Sequence, residues 1–234
     1  MKKWMKKALL IILLLIIIVT GAFFIYASYY YKADDVAIKI LENEDLVRVQ
    51  EDFIVIPSTT PSDTALIFFP GAKVEFTAYL PILEKLSQNG ITSVLIEMPL
   101  NFAIFDSDAA DEVFDELPEI NYWYIGGHSM GGAMASSYAA ENAEKIEGLV
   151  LLGAYIYGDV PPEDALTIYG TLNSNLEKNI DYTENVVIIE GGNHAQFGNY
   201  GEQKGDPPAT ISRDSQQNIA VEEILDFIEE KSGK

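Results

Sequence analysis

Cysteine is absent from the 234 residues, and histidine occurs only twice, as His128 and His194. The first absence excludes disulfides, a thiol nucleophile and thiolate metal sites together. The second leaves too few imidazoles for a His-rich zinc site. Positive charge is also scarce, with 15 Lys+Arg against 36 Asp+Glu. Every acid lies at or beyond Asp34, whereas Lys2, Lys3, Lys6 and Lys7 precede them all. From Lys32 onward 11 basic residues face 36 acidic ones, a surface that repels phosphate backbones and excludes nucleic acid as a partner. Such a surface serves solubility and points to no chemistry of its own. At 48% hydrophobic residues, the length suits one packed domain with a sizeable core.

Ala8 to Ala27 is a run of 20 residues without a charge. A helix needs about 20 apolar residues to cross the hydrocarbon core of a bilayer. A cleaved signal peptide has a shorter apolar region and a small-x-small site, and Ile25-Tyr26-Ala27-Ser28 is a poor one. Trp4 on one side and Tyr26, Tyr29, Tyr30 and Tyr31 on the other suit the two membrane interfaces. The expectation is a retained single-pass anchor. Lysines before the span place the N-terminus in the cytoplasm and the acidic bulk outside the cell membrane. The expected organisation is residues 1–31 as lysines and anchor, 32–63 as stalk and first strands, and 64–234 as the folded core.

Beyond the anchor, strands alternate with helices. Asp34–Asn43 reads as a stalk or first helix, then Leu46–Gln50 and Phe53–Pro57 as short strands. Thr64–Phe69, Thr92–Met98, Tyr122–Ile125, Gly148–Leu152, Ala165–Tyr169 and Val186–Glu190 read as buried strands. Phe76–Gln88, Ala109–Leu117, Gly131–Glu141 and Val221–Glu230 read as helices. This alternation predicts a mostly parallel sheet covered on both faces. The connections 153–164 and 170–185 leave no room for a lid domain, so any site at the ends of these strands is expected to be open.

Gly126-Gly127-His128-Ser129-Met130-Gly131-Gly132 lies between a strand and an Ala/Ser-rich helix. It contains Gly-x-Ser-x-Gly, a turn that holds a serine in a strained conformation while its glycines let strand and helix approach. The hydroxyl then projects at a helix N-terminus, where developing negative charge is favoured. Ser129 is the candidate nucleophile. His194, in a Gly-rich loop after the last strand, is the candidate general base. His128, one residue before the nucleophile, reads as structural. For the oxyanion, Met130 supplies one backbone N–H and the turn after Thr64–Phe69 the other. Ala72 is the choice there and Lys73 the runner-up, since Pro70 has no N–H.

The elbow, with Phe69-Pro70-Gly71-Ala72-Lys73 upstream and Gly191-Gly192-Asn193-His194-Ala195 downstream, resembles the α/β-hydrolase superfamily, in particular small, lid-poor, dienelactone-hydrolase-like bacterial enzymes. The resemblance runs from about Thr64 to Glu230. It implies an eight-stranded, mostly parallel sheet with helices on both faces, and the order nucleophile, acid, histidine. The family's acid follows the strand that here is Ala165–Tyr169, and that pattern puts Asn173 in its place. Three readings stay open: Asp181 supplies the carboxylate, Asp159 does, or none is present.

Two other tracts carry no chemistry. Asp106-Ser107-Asp108-Ala109-Ala110-Asp111 lacks the Gly and terminal Glu of a calcium loop and reads as a helix start capped by Asp106 or Asp108. Residues 198–208 read as a mobile rim. The expected function is an extracytoplasmic serine esterase or acyl hydrolase acting on small or surface-borne esters, without metal or cofactor. The alternative is a catalytically silent domain that binds a ligand or partner at the cell surface.

Overall fold

The computed structural model describes residues 3–233, the side chain of Ser174 excepted, so Lys2 lies outside them. Helix α1 (Lys3–Ser28) has 26 residues and a mean hydropathy of 3.2. By length and composition it can cross a membrane, and its leucines and isoleucines are exposed throughout.

A separate compact unit begins at Tyr31. Its first helix, α2 (Asp35–Leu41), is capped by the Asp34 carboxylate, which accepts from the N–H groups of Val36 and Ala37. Strands β1 (Arg48–Val49) and β2 (Phe53–Ile56) form a hairpin, and β3 (Thr64–Phe69) follows. The helix expected over Phe76–Gln88 is divided. A 3₁₀ turn (Phe76–Tyr79) leads into α3 (Leu80–Gln88), with Pro81 in the first turn of α3, where its missing N–H has no cost. Next come β4 (Thr92–Ile96), α4 (Asp111–Phe114), β5 (Tyr122–His128) and α5 (Met130–Glu141). The chain ends with β6 (Gly148–Leu152), β7 (Ala165–Gly170), α6 (Ser174–Glu177), β8 (Val186–Ile189) and α7 (Arg213–Ser232).

The eight strands form one sheet in the order β1-β2-β4-β3-β5-β6-β7-β8. β1 and β2 are antiparallel to their neighbours, and every pairing from β4 to β8 is parallel. The stretch read as stalk and first strands is thus part of the globular unit. Alternation along β3 feeds two cores, because the side chains of a strand point to opposite faces in turn. Leu66 and Phe68 pack with Leu83, Ile224 and Phe227 of α3 and α7. Ala65, Ile67 and Phe69 pack with Val113, Ala135 and Tyr138 of α4 and α5. Nearly continuous apolar strands are what a doubly covered sheet requires.

Helix α4 is only one turn, shorter than Ala109–Leu117 promised. Its N-cap position is Ala110, with no side-chain cap, so neither Asp106 nor Asp108 plays that part. The segment is tied down instead by Asp111, whose carboxylate accepts from Tyr138 Oη (2.6 Å) and pairs with Lys145 (3.1 Å). Helix α7 starts eight residues earlier than its apolar spacing suggested, at an N-cap formed by Ser212.

Candidate active site

Strand β5 delivers Ser129 to the carboxyl edge of the sheet. The residue sits at φ 54°, ψ −120°, backbone that L-residues avoid, and its N–H donates to Leu152 O of β6 at 3.0 Å. Glycines make this turn possible. A Cβ on Gly131 would lie 2.2 Å from Phe69 O, and one on Gly127 would lie 2.5 Å from the Gly131 carbonyl carbon. Among the described residues five non-glycines have positive φ. Four of them (Lys73, Leu100, Asn101 and Ser129) lie in the turns that follow β3, β4 and β5, so strain collects at this edge.

The N–H groups expected to serve an oxyanion can be sorted by which of them are already engaged. After β3, the Gly71 N–H donates to Tyr79 Oη (3.1 Å) and the Lys73 N–H donates to Asn101 O (2.8 Å). Among the described residues neither Ala72 N–H nor Met130 N–H has a hydrogen-bond partner. Met130 is the first residue of α5, where an N–H has no acceptor within the helix.

His194 follows β8 through Gly191 and Gly192, and its loop is fixed from three sides. Gln216, fully buried on α7, accepts from Asn193 N–H (3.0 Å) and donates to Asn193 O (2.8 Å). Asn193 Nδ2 donates to Pro207 O at 2.9 Å. The Asp206 carboxylate accepts from the N–H groups of His194 (3.2 Å) and Ala195 (2.8 Å). Burial lowers the affinity of His194 for a proton, and the Asp206 charge partly opposes this, so the imidazole is neutral at pH 7. Residues 198–208, read as a mobile rim, begin with buried Asn199 and Tyr200, and Asn199 donates to Asp34 and Ala78.

The group facing His194 Nδ1 is the side-chain amide of Asn173, with Nδ2 3.0 Å away. In that sense the amide donates to Nδ1, which leaves the imidazole proton on Nε2. A half-turn of the amide presents Oδ1 instead, which accepts from Nδ1–H and frees Nε2 to act as a base. Neither Asp181 nor Asp159 is brought to the ring. Asp181 is exposed beside Tyr182, and Asp159 lines a separate cavity with Asp164 and Lys231. Among the described residues no hydrogen bond joins Ser129 Oγ to the imidazole, a contact that often tightens only with substrate bound.

His128 is buried and connects the two halves of the site. Its Nδ1 accepts from Tyr79 Oη (2.8 Å) and its Nε2–H donates to the carbonyl oxygen of His194 (3.0 Å). Burial, then the neighbouring His194, holds its pKa well below the ordinary imidazole range, so it stays neutral. Burial raises the Tyr79 hydroxyl above its ordinary range, so it stays a donor. Tyr79, Asp206 and Gln216 escaped the sequence reading. Nothing in their spacing separates them from core or surface residues, because their roles come from contacts distant in the chain.

Ser129, Met130, Asn173 and His194 line one open pocket of about 450 Å³. Ile104, Ala133, Met134, Ala154, Tyr155 and Leu176 supply most of its remaining wall. Ala72 is not among its lining residues.

Several known proteins share this arrangement of strands and helices. A membrane phospholipase A matches over 98% of this chain and 100% of its own, with 13% identity and a TM-score of 0.55. A soluble variant of monoglyceride lipase from Saccharomyces cerevisiae matches over 79% of this chain and 94% of its own, with 11% identity and a TM-score of 0.53. At such identities the likeness is one of fold. In sequence, a Mycobacterium phage D29 protein carrying the provisional name non-heme haloperoxidase is 27% identical over 124 residues. That match spans 49% of this chain and 44% of the phage protein, so the chain covers less than half of that relative. The model of the alpha/beta hydrolase family matches residues 65–218, from β3 into α7 and through both the elbow and the histidine loop. The chain belongs to the α/β-hydrolase family.

Proposed function

We propose that this protein is a membrane-anchored serine hydrolase acting on carboxylic esters, with its catalytic domain outside the cell. The observation that carries the reading is Ser129, held at positive φ between β5 and α5 in the pocket that His194 also lines. In this reading His194 Nε2 takes the Ser129 proton as Oγ attacks the ester carbonyl, then returns it to the leaving alcohol. The N–H groups of Met130 and Ala72 receive the oxyanion. Asn173 Oδ1 orients the imidazole through Nδ1–H, a part that asparagine also plays in papain-like proteases. Three structural neighbours are lipases or a phospholipase by name, which agrees with ester chemistry. Helix α1 and the lysines before its apolar run support a retained anchor with the N-terminus in the cytoplasm.

A second reading rests on one contact. With Asn173 Nδ2 towards Nδ1, the imidazole holds the wrong tautomer, and the domain would bind ligands at the cell surface without turning them over.

Treating membranes that contain the full chain with a fluorophosphonate probe separates the two readings. Covalent label on Ser129, lost in Ser129→Ala, is the expected result. An unlabelled parent protein points to the silent domain, and label on another serine removes the elbow from the mechanism. Protease added to intact cells should remove the domain and leave a short protected N-terminal fragment. Mature protein starting near Ala27 and free in the medium would defeat the anchor.

A further inference from the structure

The pocket's composition is unlike that of the chain around it. The whole sequence carries a net charge of −21, and more than one residue in five is charged. Among the described residues none that lines the pocket is Asp, Glu, Lys or Arg. The α5 part of its wall is apolar, with Met130, Ala133 and Met134, and Ile104 adds a further apolar side chain. Asn175, Leu176 and Asn179 also line it, polar through amides only. Ile104 belongs to an exposed apolar stretch, with Leu100 (42%), Ile104 (58%) and Phe105 (52%) within six residues. At about 450 Å³ the pocket lies within the usual range for small-molecule sites.

These features restrict what can sit there. A carboxylate or ammonium on the acyl group would lose its hydration in this pocket and find no countercharge. An apolar chain loses nothing and gains with each methylene that leaves water. The acidic surface beyond the pocket further disfavours anionic esters approaching from solution.

We infer that the pocket takes the neutral, apolar acyl chain of an ester, laid along the α5 wall and leaving past Ile104. This rests on the serine-hydrolase reading for turnover, but the recognition itself depends only on the pocket. Acyl groups bearing a carboxylate, such as hemisuccinates, are excluded by the same lining.

The test uses the full chain in lipid nanodiscs. p-Nitrophenyl acetate, butyrate and octanoate are compared with mono-p-nitrophenyl succinate for kcat/KM. Binding of butyryl, octanoyl and hemisuccinyl esters to Ser129→Ala is measured in parallel and needs no turnover. The expected result is a rise of up to roughly fourfold per added methylene while the chain lies in the pocket. Butyrate should exceed the hemisuccinate about a hundredfold or more. Ile104→Lys, at an exposed position, should narrow that last ratio by offering the hemisuccinate a countercharge, and Met134→Lys should narrow it further. A hemisuccinate bound or turned over as well as butyrate overturns the inference, as does a preference for acetate over octanoate. A parent that binds octanoyl esters selectively and hydrolyses none leaves this inference standing and defeats the serine-hydrolase reading.

Discussion

The Tyr79 hydroxyl donates to Nδ1 of His128 over 2.8 Å, and the other nitrogen of that ring donates to the carbonyl oxygen of His194 over 3.0 Å. Since Tyr79 Oη also accepts from Gly71 N–H, one chain of hydrogen bonds runs from the turn after β3 to the histidine loop after β8. Its polarity is fixed at every step. A neutral His128 with its proton on Nε2 is the only form that satisfies both neighbours.

Breaking this chain should therefore damage both turns together. Tyr79→Phe removes the acceptor for Gly71 N–H and the donor to His128 while filling nearly the same space. It leaves buried polar groups unpaired, so a stability loss of about 1–3 kcal/mol is expected, read as a lower melting temperature. Turnover should fall through kcat more than KM, because Tyr79 does not line the pocket. Unchanged kcat in a destabilised variant would make Tyr79 a core residue and nothing more.

Asn173 gives the second prediction. Asn173→Asp replaces an amide that has two possible senses by a carboxylate that can only accept from Nδ1–H. Activity should rise, by up to the ~10⁴ lost when the reverse change is made in a serine protease. Asn173→Ala removes the orienter and should lower kcat/KM of an active parent. Comparing both with Asp181→Ala and Asp159→Ala on one activated ester locates the orienting group. A loss confined to Asp181→Ala or Asp159→Ala would show that the loops rearrange in solution to bring that carboxylate to the ring.

The oxyanion assignment is tested at Ala72. Ala72→Pro deletes the single N–H in question, whereas Ala72→Gly keeps it. The loss of one such donor reduces kcat by about 10²–10³. The proline variant should show that loss with its melting temperature near the parent's, and the glycine variant should lose far less. Equal activity of the two would move the second donor elsewhere.

How much of this was legible in the sequence differs by residue. The elbow's backbone could be read because it is local: Gly127, Ser129 and Gly131 must fall within five residues for the turn to exist. The strands could be read because burial on both faces leaves continuous apolar runs, and β3 and β6 match their expected limits residue for residue. Helices fared worse where tertiary contacts set their ends, as at α4, whose short turn is held by Asp111 and Tyr138. Asn173 was placed by a family pattern, and its contact with Nδ1 is a feature that spacing alone does not supply. Asp206 could not be found that way, because its partners are backbone amides and nothing in the sequence marks a carboxylate that binds them.

Asp206 leads to the last prediction. Among the described residues no carboxylate faces the His194 ring, yet the Asp206 charge is held close by two hydrogen bonds to the backbone at His194 and Ala195. His128 also faces the ring, at 4.4 Å between centroids, and stays neutral, while Asn173 carries no charge. Burial lowers the His194 pKa below the ordinary 6.5, and Asp206 acts in the opposite direction. In the proposed mechanism His194 must be neutral to act as the base, so kcat/KM should rise with pH through an acid limb whose midpoint lies below that of an exposed histidine. Asp206→Asn keeps an acceptor for the backbone and removes the charge. The limb should then move to still lower pH, because the imidazolium loses its favourable neighbour. Above the limb the rate should fall on the order of tenfold, since the same imidazolium forms in the transition state. NMR titration in a chain with only two histidines reads the shift directly, with His128 as the ring that does not titrate in the ordinary range. A limb that stays in place while the melting temperature falls would reduce Asp206 to a cap on the turn after His194.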